Sequence, residues 1–120
     1  MEGYSVQLNI QEAAQKKLDD QWLKVVLEWT QKNYTHKITL QDILNVTHFT
    51  KSYFCNRFKK LTGYTYIQYV NQIRLEQACV YLKQGISVEQ TATLCGFSCV
   101  PYFVQLFKRR YGVTPGKFGI

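Results

Sequence analysis

Two sets of side chains recur in this chain at one helical spacing. Ser52, Asn56 and Lys59 form the first set, and Pro101, Gln105 and Lys108 the second. At about 100° of turn per residue each set falls on one side of a helix. Cys55 and Lys60 flank the first, Val104 and Arg109 the second. A carboxamide carries a donor and an acceptor side by side, and a hydroxyl serves as either. Cations follow within a turn. This is chemistry for reading a hydrogen-bonding surface beside an anion, not for making or breaking bonds. The sequence has no nucleophile–base pair, no paired-carboxylate motif and no phosphate-binding glycine loop, so it offers an enzyme nothing to work with.

The helices that must carry these sets are two copies of one unit. Tyr53–Thr65 is YFCNRFKKLTGYT, and Tyr102–Thr114 is YFVQLFKRRYGVT. Tyr, Phe, Phe, Lys, Gly and Thr match position for position, and Lys60 corresponds to Arg109. A repeat at a fixed offset means that one small structural unit was built twice. The inward sides, Phe54, Phe58 and Leu61 against Phe103 and Phe107, are alike, whereas the outward sides differ. A short helix precedes each copy, and one extra residue sits in the second turn, between Phe97 and Tyr102. Each unit therefore predicts a helix-turn-helix.

Boundary signals set out the rest. Asp19-Asp20 caps a first helix that ends near Asn33, with Trp22, Val25, Val26 and Trp29 on its core face. Thr39-x-x-Asp42 opens a helix through Val46, and Thr50 caps the next, which stops at Gly63. Thr65-x-x-Gln68 opens the longest helix. It reaches about Gln84, rises roughly 30 Å, and has Ile67, Val70, Ile73, Ala78 and Leu82 as an imperfect apolar stripe. Ser87-x-x-Gln90 opens a helix through Leu94, the second copy runs to Tyr111 with Gly112 as its stop, and Thr114-Pro115 opens a last turn to Phe118. The expected organisation is all-α: residues 1–17 as a linker, a chain edge or an extra helical turn, a first unit at 18–64, a linker helix at 65–85 and a second unit at 86–118.

Charge points to the partner. The 120 residues carry a formal net charge of +7. Residues 1–50 hold five lysines against six acids, whereas residues 51–117 hold ten Lys/Arg against Glu76 and Glu89 alone. All the positive excess lies in the half with the repeat, and this favours a polyanion. No apolar run is long enough to span a membrane, and residues 1–20 lack the apolar core of a signal peptide. The four cysteines form no C-x-x-C pair, so reduced thiols in a cytoplasm are expected. His36 and His48 have no partner at metal-ligand spacing. Cys95 and Cys99 alone cannot make a metal site. Neither metal nor cofactor is predicted. Cys55, on an outward face, is the one thiol whose oxidation would alter a bound partner.

The outward chemistry fits the major groove of double-stranded DNA. Asn and Gln match the adenine edge, Ser is a versatile partner, and Val and Pro suit a thymine methyl. Lys51, Arg57, Lys59, Lys60, Lys108 and Arg109 are placed to meet flanking phosphates.

The order ITLQDI…YFCNRFKKLTG…RLEQA…CGFSCVPYFVQLFKRRYGVTP resembles the DNA-binding domain of AraC/XylS-type transcription regulators, from about Ile38 to Phe118. The resemblance implies seven helices, with two helix-turn-helix units reading successive major-groove segments. It puts base reading on Ser52, Cys55 and Asn56 and on Val100, Pro101, Val104 and Gln105. It places Arg74 on the linker helix near the DNA backbone. It also implies RNA polymerase as a further partner and an effector or dimerisation module N-terminal to this chain, while the difference between the two outward sets predicts an asymmetric operator. The family pattern often has Arg where Asn56 and Gln105 stand, and apolar residues where Arg57 and Thr91 stand. Arg57 is therefore expected to supply a DNA contact, and Thr91 to loosen the second core. Two competing readings make different demands. A protein-interaction module that had lost DNA binding would show apolar or acidic outward faces. The DNA-targeting part of a repair enzyme would need a catalytic segment.

Overall fold

The computed structural model describes residues 2–119, with side chains from Ile10 to Gly119. They form seven helices and no strand: α1 Glu2–Asn33, α2 Leu40–Thr47, α3 Lys51–Thr62, α4 Tyr66–Lys83, α5 Val88–Leu94, α6 Val100–Tyr111 and α7 Pro115–Phe118. The boundary signals operate as hydrogen bonds. Thr39 with Asp42, and Thr65 with Gln68, close reciprocal capping boxes. Thr50 and Ser87 accept from Tyr53 N and Gln90 N. His48 ends α2 in the left-handed region at φ 61°, a role Gly63 and Gly112 fill after α3 and α6.

The start of α1 corrects the sequence reading. Asp19 is not a cap: the helix has already run from Glu2, and residues 2–17 make up its first half. Gln11 to Lys17 are all good helix formers, with no Gly or Pro, so nothing stops the helix before Asp19. On the core face Val26 is buried, but Val25 is 50% exposed.

Two separate cores follow from the repeat. The first gathers Val26, Ile43, Phe54, Phe58, Tyr66 and Val70. The second gathers Leu75, Ala78, Leu82, Ala92, Cys95, Phe97, Phe103 and Phe107. The four phenylalanines of α3 and α6 have no solvent exposure. Leu61 and Ile67, expected inward, are exposed. Leu61 lies in the last turn of α3, beyond the first core. On α4 the pair Tyr66 and Val70 goes inward and leaves Ile67 outside. Tyr66 and Thr30 share a 2.6 Å hydrogen bond inside the first core, and burial pushes the Tyr66 hydroxyl up to about 12.

Thr91 is fully buried, and its Oγ1 has no hydrogen-bond partner. An unsatisfied buried hydroxyl costs free energy that an apolar group of the same shape does not. Thr91→Val is expected to stabilise the domain by about 1–2 kcal/mol, read as a higher midpoint in urea or thermal unfolding.

Candidate nucleic-acid interface

With Phe54 and Phe58 fixed inward, the opposite side of α3 is presented to solvent. Lys51, Ser52, Cys55, Asn56, Lys59 and Lys60 are all exposed. On α6, Pro101, Gln105, Lys108, Arg109 and Arg110 are exposed as well. Neither helix has an acidic residue in its first turn, and both end in basic residues. The partial positive charge of each helix N-terminus is thus left uncompensated by its own side chains. Thr50 caps α3 with a neutral hydroxyl, whereas no side chain caps α6.

Four predicted positions sit differently from the rest. Val100 and Val104 pack in part against the second core, whereas their counterparts in α3, Lys51 and Cys55, are exposed. An apolar side chain on the flank of the helix leans onto its buried face, and a polar one does not. Arg57 turns back to the protein. Its Nε donates to Asp19 Oδ1 at 3.1 Å, and its Nη2 pairs with Oδ2 of the same carboxylate. Gln15 and Trp22 also donate to Oδ1, at 3.1 and 3.0 Å. The Arg57 bond is the largest cause holding the Asp19 carboxyl down at about 2, against burial, which raises it. Arg74, expected near the DNA backbone, is half-buried. Its Nε donates to Tyr34 O and its Nη2 to His36 O, each at 2.9 Å.

One cation beside the interface lies outside the predicted set. Arg110 is exposed and donates from Nε to Gln72 Oε1 at 3.2 Å. Its counterpart in α3 is Leu61, so the repeat gave no signal for it. Burial pushes the Cys95 thiol up to about 12, and Cys55 and Cys99 are exposed. Among the described residues no group of His, Cys, Asp and Glu is placed to hold a metal, and no helix is long and apolar enough to cross a membrane.

Two helix-turn-helix units on a shared helix, each with an exposed polar face and a basic end, define a DNA-binding domain of a transcription regulator. The chain matches the helix-turn-helix domain family over residues 43–119, and it belongs to the AraC/XylS-type family of such domains. It is 33% identical over 105 residues to the bifunctional transcriptional activator/DNA repair enzyme AdaA of Bacillus subtilis, across 87% of this chain and 50% of AdaA. Its fold is similar to the C-terminal domain of the two-component response regulator yesN of Fusobacterium nucleatum. That match has a TM-score of 0.76 at 26% identity, covering 81% of this chain and 96% of that one. The DNA-binding domain of AdpA, in complex with a target DNA, shares the fold at a TM-score of 0.76 and 24% identity, over 81% of this chain and 88% of that one. The chain spans between 32% and 50% of the length of three curated relatives, AdaA among them.

The Asp19–Arg57 pair sets a pH test. The folded carboxyl titrates near 2 against an ordinary 3.8. Its stabilisation is therefore complete above about pH 4 and is lost as pH falls toward 2. Asp19→Asn is expected to lower the melting temperature near neutral pH and to flatten the acid limb between about pH 4 and 2. It should also release Arg57, so that log affinity for random DNA against log salt steepens by up to about 0.9. Melting curves across that pH range and a salt titration check both outcomes.

Proposed function

We propose that this chain reads double-stranded DNA with α3 and α6 in two successive major-groove segments. Asn56 and Gln105 are the principal base readers, Ser52, Cys55 and Pro101 lie beside them, and Val100 and Val104 offer their exposed edges to thymine methyls. Lys51, Lys59, Lys60, Lys108 and Arg109 hold phosphates. The observation that carries this reading is the equivalence of Asn56 and Gln105. The two amides occupy the same place in the two copies, both are exposed, and each lies on the N-terminal half of its helix with cations beyond it. The length of α4 agrees with the reading. Its 18 residues rise about 27 Å, which suits recognition helices about one DNA turn of roughly 34 Å apart. AdpA's domain, which shares the fold, is bound to its target DNA.

Because the outward sets differ, the operator is asymmetric. The domain acts in the cytoplasm, without catalysis of its own, in a regulator whose other module receives the signal and whose bound form meets RNA polymerase. Selection of sites from random duplexes tests the central claim. One long asymmetric site per monomer is expected, and a perfect inverted repeat bound by one monomer would overturn it.

An amide paired in bidentate fashion with adenine contributes about 1–3 kcal/mol of discrimination at one base pair. Asn56→Ala is expected to relax preference in one half of the site and Gln105→Ala in the other, with random-sequence affinity almost unchanged. A panel of single-base-pair operator variants checks this, and a uniform loss across the panel would remove both residues as readers. Lys59→Ala and Lys108→Ala should behave in the opposite way. Each should weaken binding to every sequence and flatten the salt slope by up to about 0.9.

A further inference from the structure

The two units keep separate cores, and among the described residues α4 alone contributes buried side chains to both. Tyr66 and Val70 belong to the first core, and Leu75, Ala78 and Leu82 to the second. Arg74 stands where one set gives way to the other. At about 100° per residue it also lies between the two buried faces of the helix.

Three pieces of chain meet at its guanidinium. The carbonyls of Tyr34 and His36, which accept from Nε and Nη2, belong to the segment that leads from α1 into α2. The ring of Phe97, in the turn of the second unit, lies 5.7 Å from the guanidinium carbon. Gly96 completes the junction at φ +93°. A Cβ there would stand 2.3 Å from Tyr34 O and 3.1 Å from Arg74 Nε. The turn of the second unit therefore rests directly on first-unit backbone. By contrast, the bonds from Asn71 to Tyr102 and from Arg110 to Gln72 tie α4 to α6, and both of those helices already line the second core.

We propose that Arg74 is a positioning residue for DNA recognition. By clamping the α1–α2 segment and the Gly96-Phe97 turn to α4, it sets the separation and twist between α3 and α6, and so the half-site spacing the domain accepts. The proposal rests on the reading of α3 and α6 as two reading helices. One helix passing through two cores leaves a joint free to bend and twist, and a second tie beside it removes that freedom. Arginine suits the task because its planar fork fixes two donors at once, which a lysine ammonium on a flexible stem does not.

The test uses operators chosen with the unaltered domain, then lengthened or shortened by one base pair between the half-sites. Each base pair moves one half-site by about 3.4 Å and about 34° relative to the other. The unaltered domain should lose about tenfold or more in affinity at either altered spacing, because two linked sites bind tightly only when both can engage. Arg74→Gln should bind the natural spacing about tenfold more weakly, bind the altered spacings within about threefold of it, and match the unaltered domain on single half-sites. Its salt slope should be unchanged. Arg74→Lys should fall between the two, and it carries the comparison if Arg74→Gln shows no melting transition. A spacing profile for the variant parallel to that of the unaltered domain would overturn the proposal. So would a uniform loss at all sites with a slope flatter by about 0.9, which marks a phosphate contact instead. Indifference of the unaltered domain itself to spacing would refute the two-helix reading, and the role of Arg74 with it.

Discussion

The domain depends on burying two aromatic pairs, Phe54 with Phe58 and Phe103 with Phe107, each one helical turn apart. Burying one such ring contributes about 1.5–3 kcal/mol, and all four are fully buried. The rings that receive them come from other parts of the chain, apart from Tyr111 at the end of α6. Phe54 meets Trp22 and Tyr66, and Phe58 meets Tyr66 and Tyr69. Phe103 meets Phe97, and Phe107 meets Tyr111 and Phe118. Once the inward side of each helix is fixed, its rotation is fixed, and so is the set of residues that faces solvent. The interface is in this sense set by the core. Asn56 and Gln105 are outward because their neighbours two residues away are held inward.

Sharing one helix between two cores shapes α4. Taking Tyr66 as zero, Val70 lies at about 40°, while Leu75, Ala78 and Leu82 lie between about 120° and 180°. The two buried faces differ by about 130°, so no single stripe runs along the helix. Its apolar positions look irregular in the sequence for that reason. Such a helix cannot form an ordinary amphipathic surface. It is stable because each half has its own core to enter.

This is also where sequence reasoning runs out. Capping residues, stop glycines and the phenylalanine pairs act within a turn or two of the chain, so they place six of the seven helix starts to within a residue or two. Periodicity says which face a residue occupies and nothing about which neighbour it meets. Arg57 meets a carboxylate 38 residues away, and Arg74 meets carbonyls 40 and 38 residues away. Nothing local names those partners, although an apolar residue, Leu106, holds the place of Arg57 in the second copy. Asp19 misled in the opposite direction. It has the chemistry of a cap, yet its lone pairs are satisfied by Gln15, Trp22 and Arg57 inside a helix that nothing upstream interrupts.

Arg57 and Arg74 together narrow the set of cations that are free to meet a polyanion. The basic half of the chain owes its excess to ten cations, but Arg57 and Arg74 are committed to the protein's own oxygens, and the exposed Arg110 also donates to Gln72 Oε1. All three are arginines. The candidate phosphate contacts that stay exposed are lysines, with Arg109 the exception. The division follows from side-chain chemistry. A guanidinium is weakly hydrated and carries a rigid fork of donors, so it tolerates partial burial and fixes geometry when it bonds. An ammonium is strongly hydrated and flexible, and it loses more when taken from water. In this domain guanidinium groups hold one helix to another, and ammonium groups remain free to follow a phosphate backbone. The cations free to follow a phosphate backbone therefore lie mainly on α3 and α6.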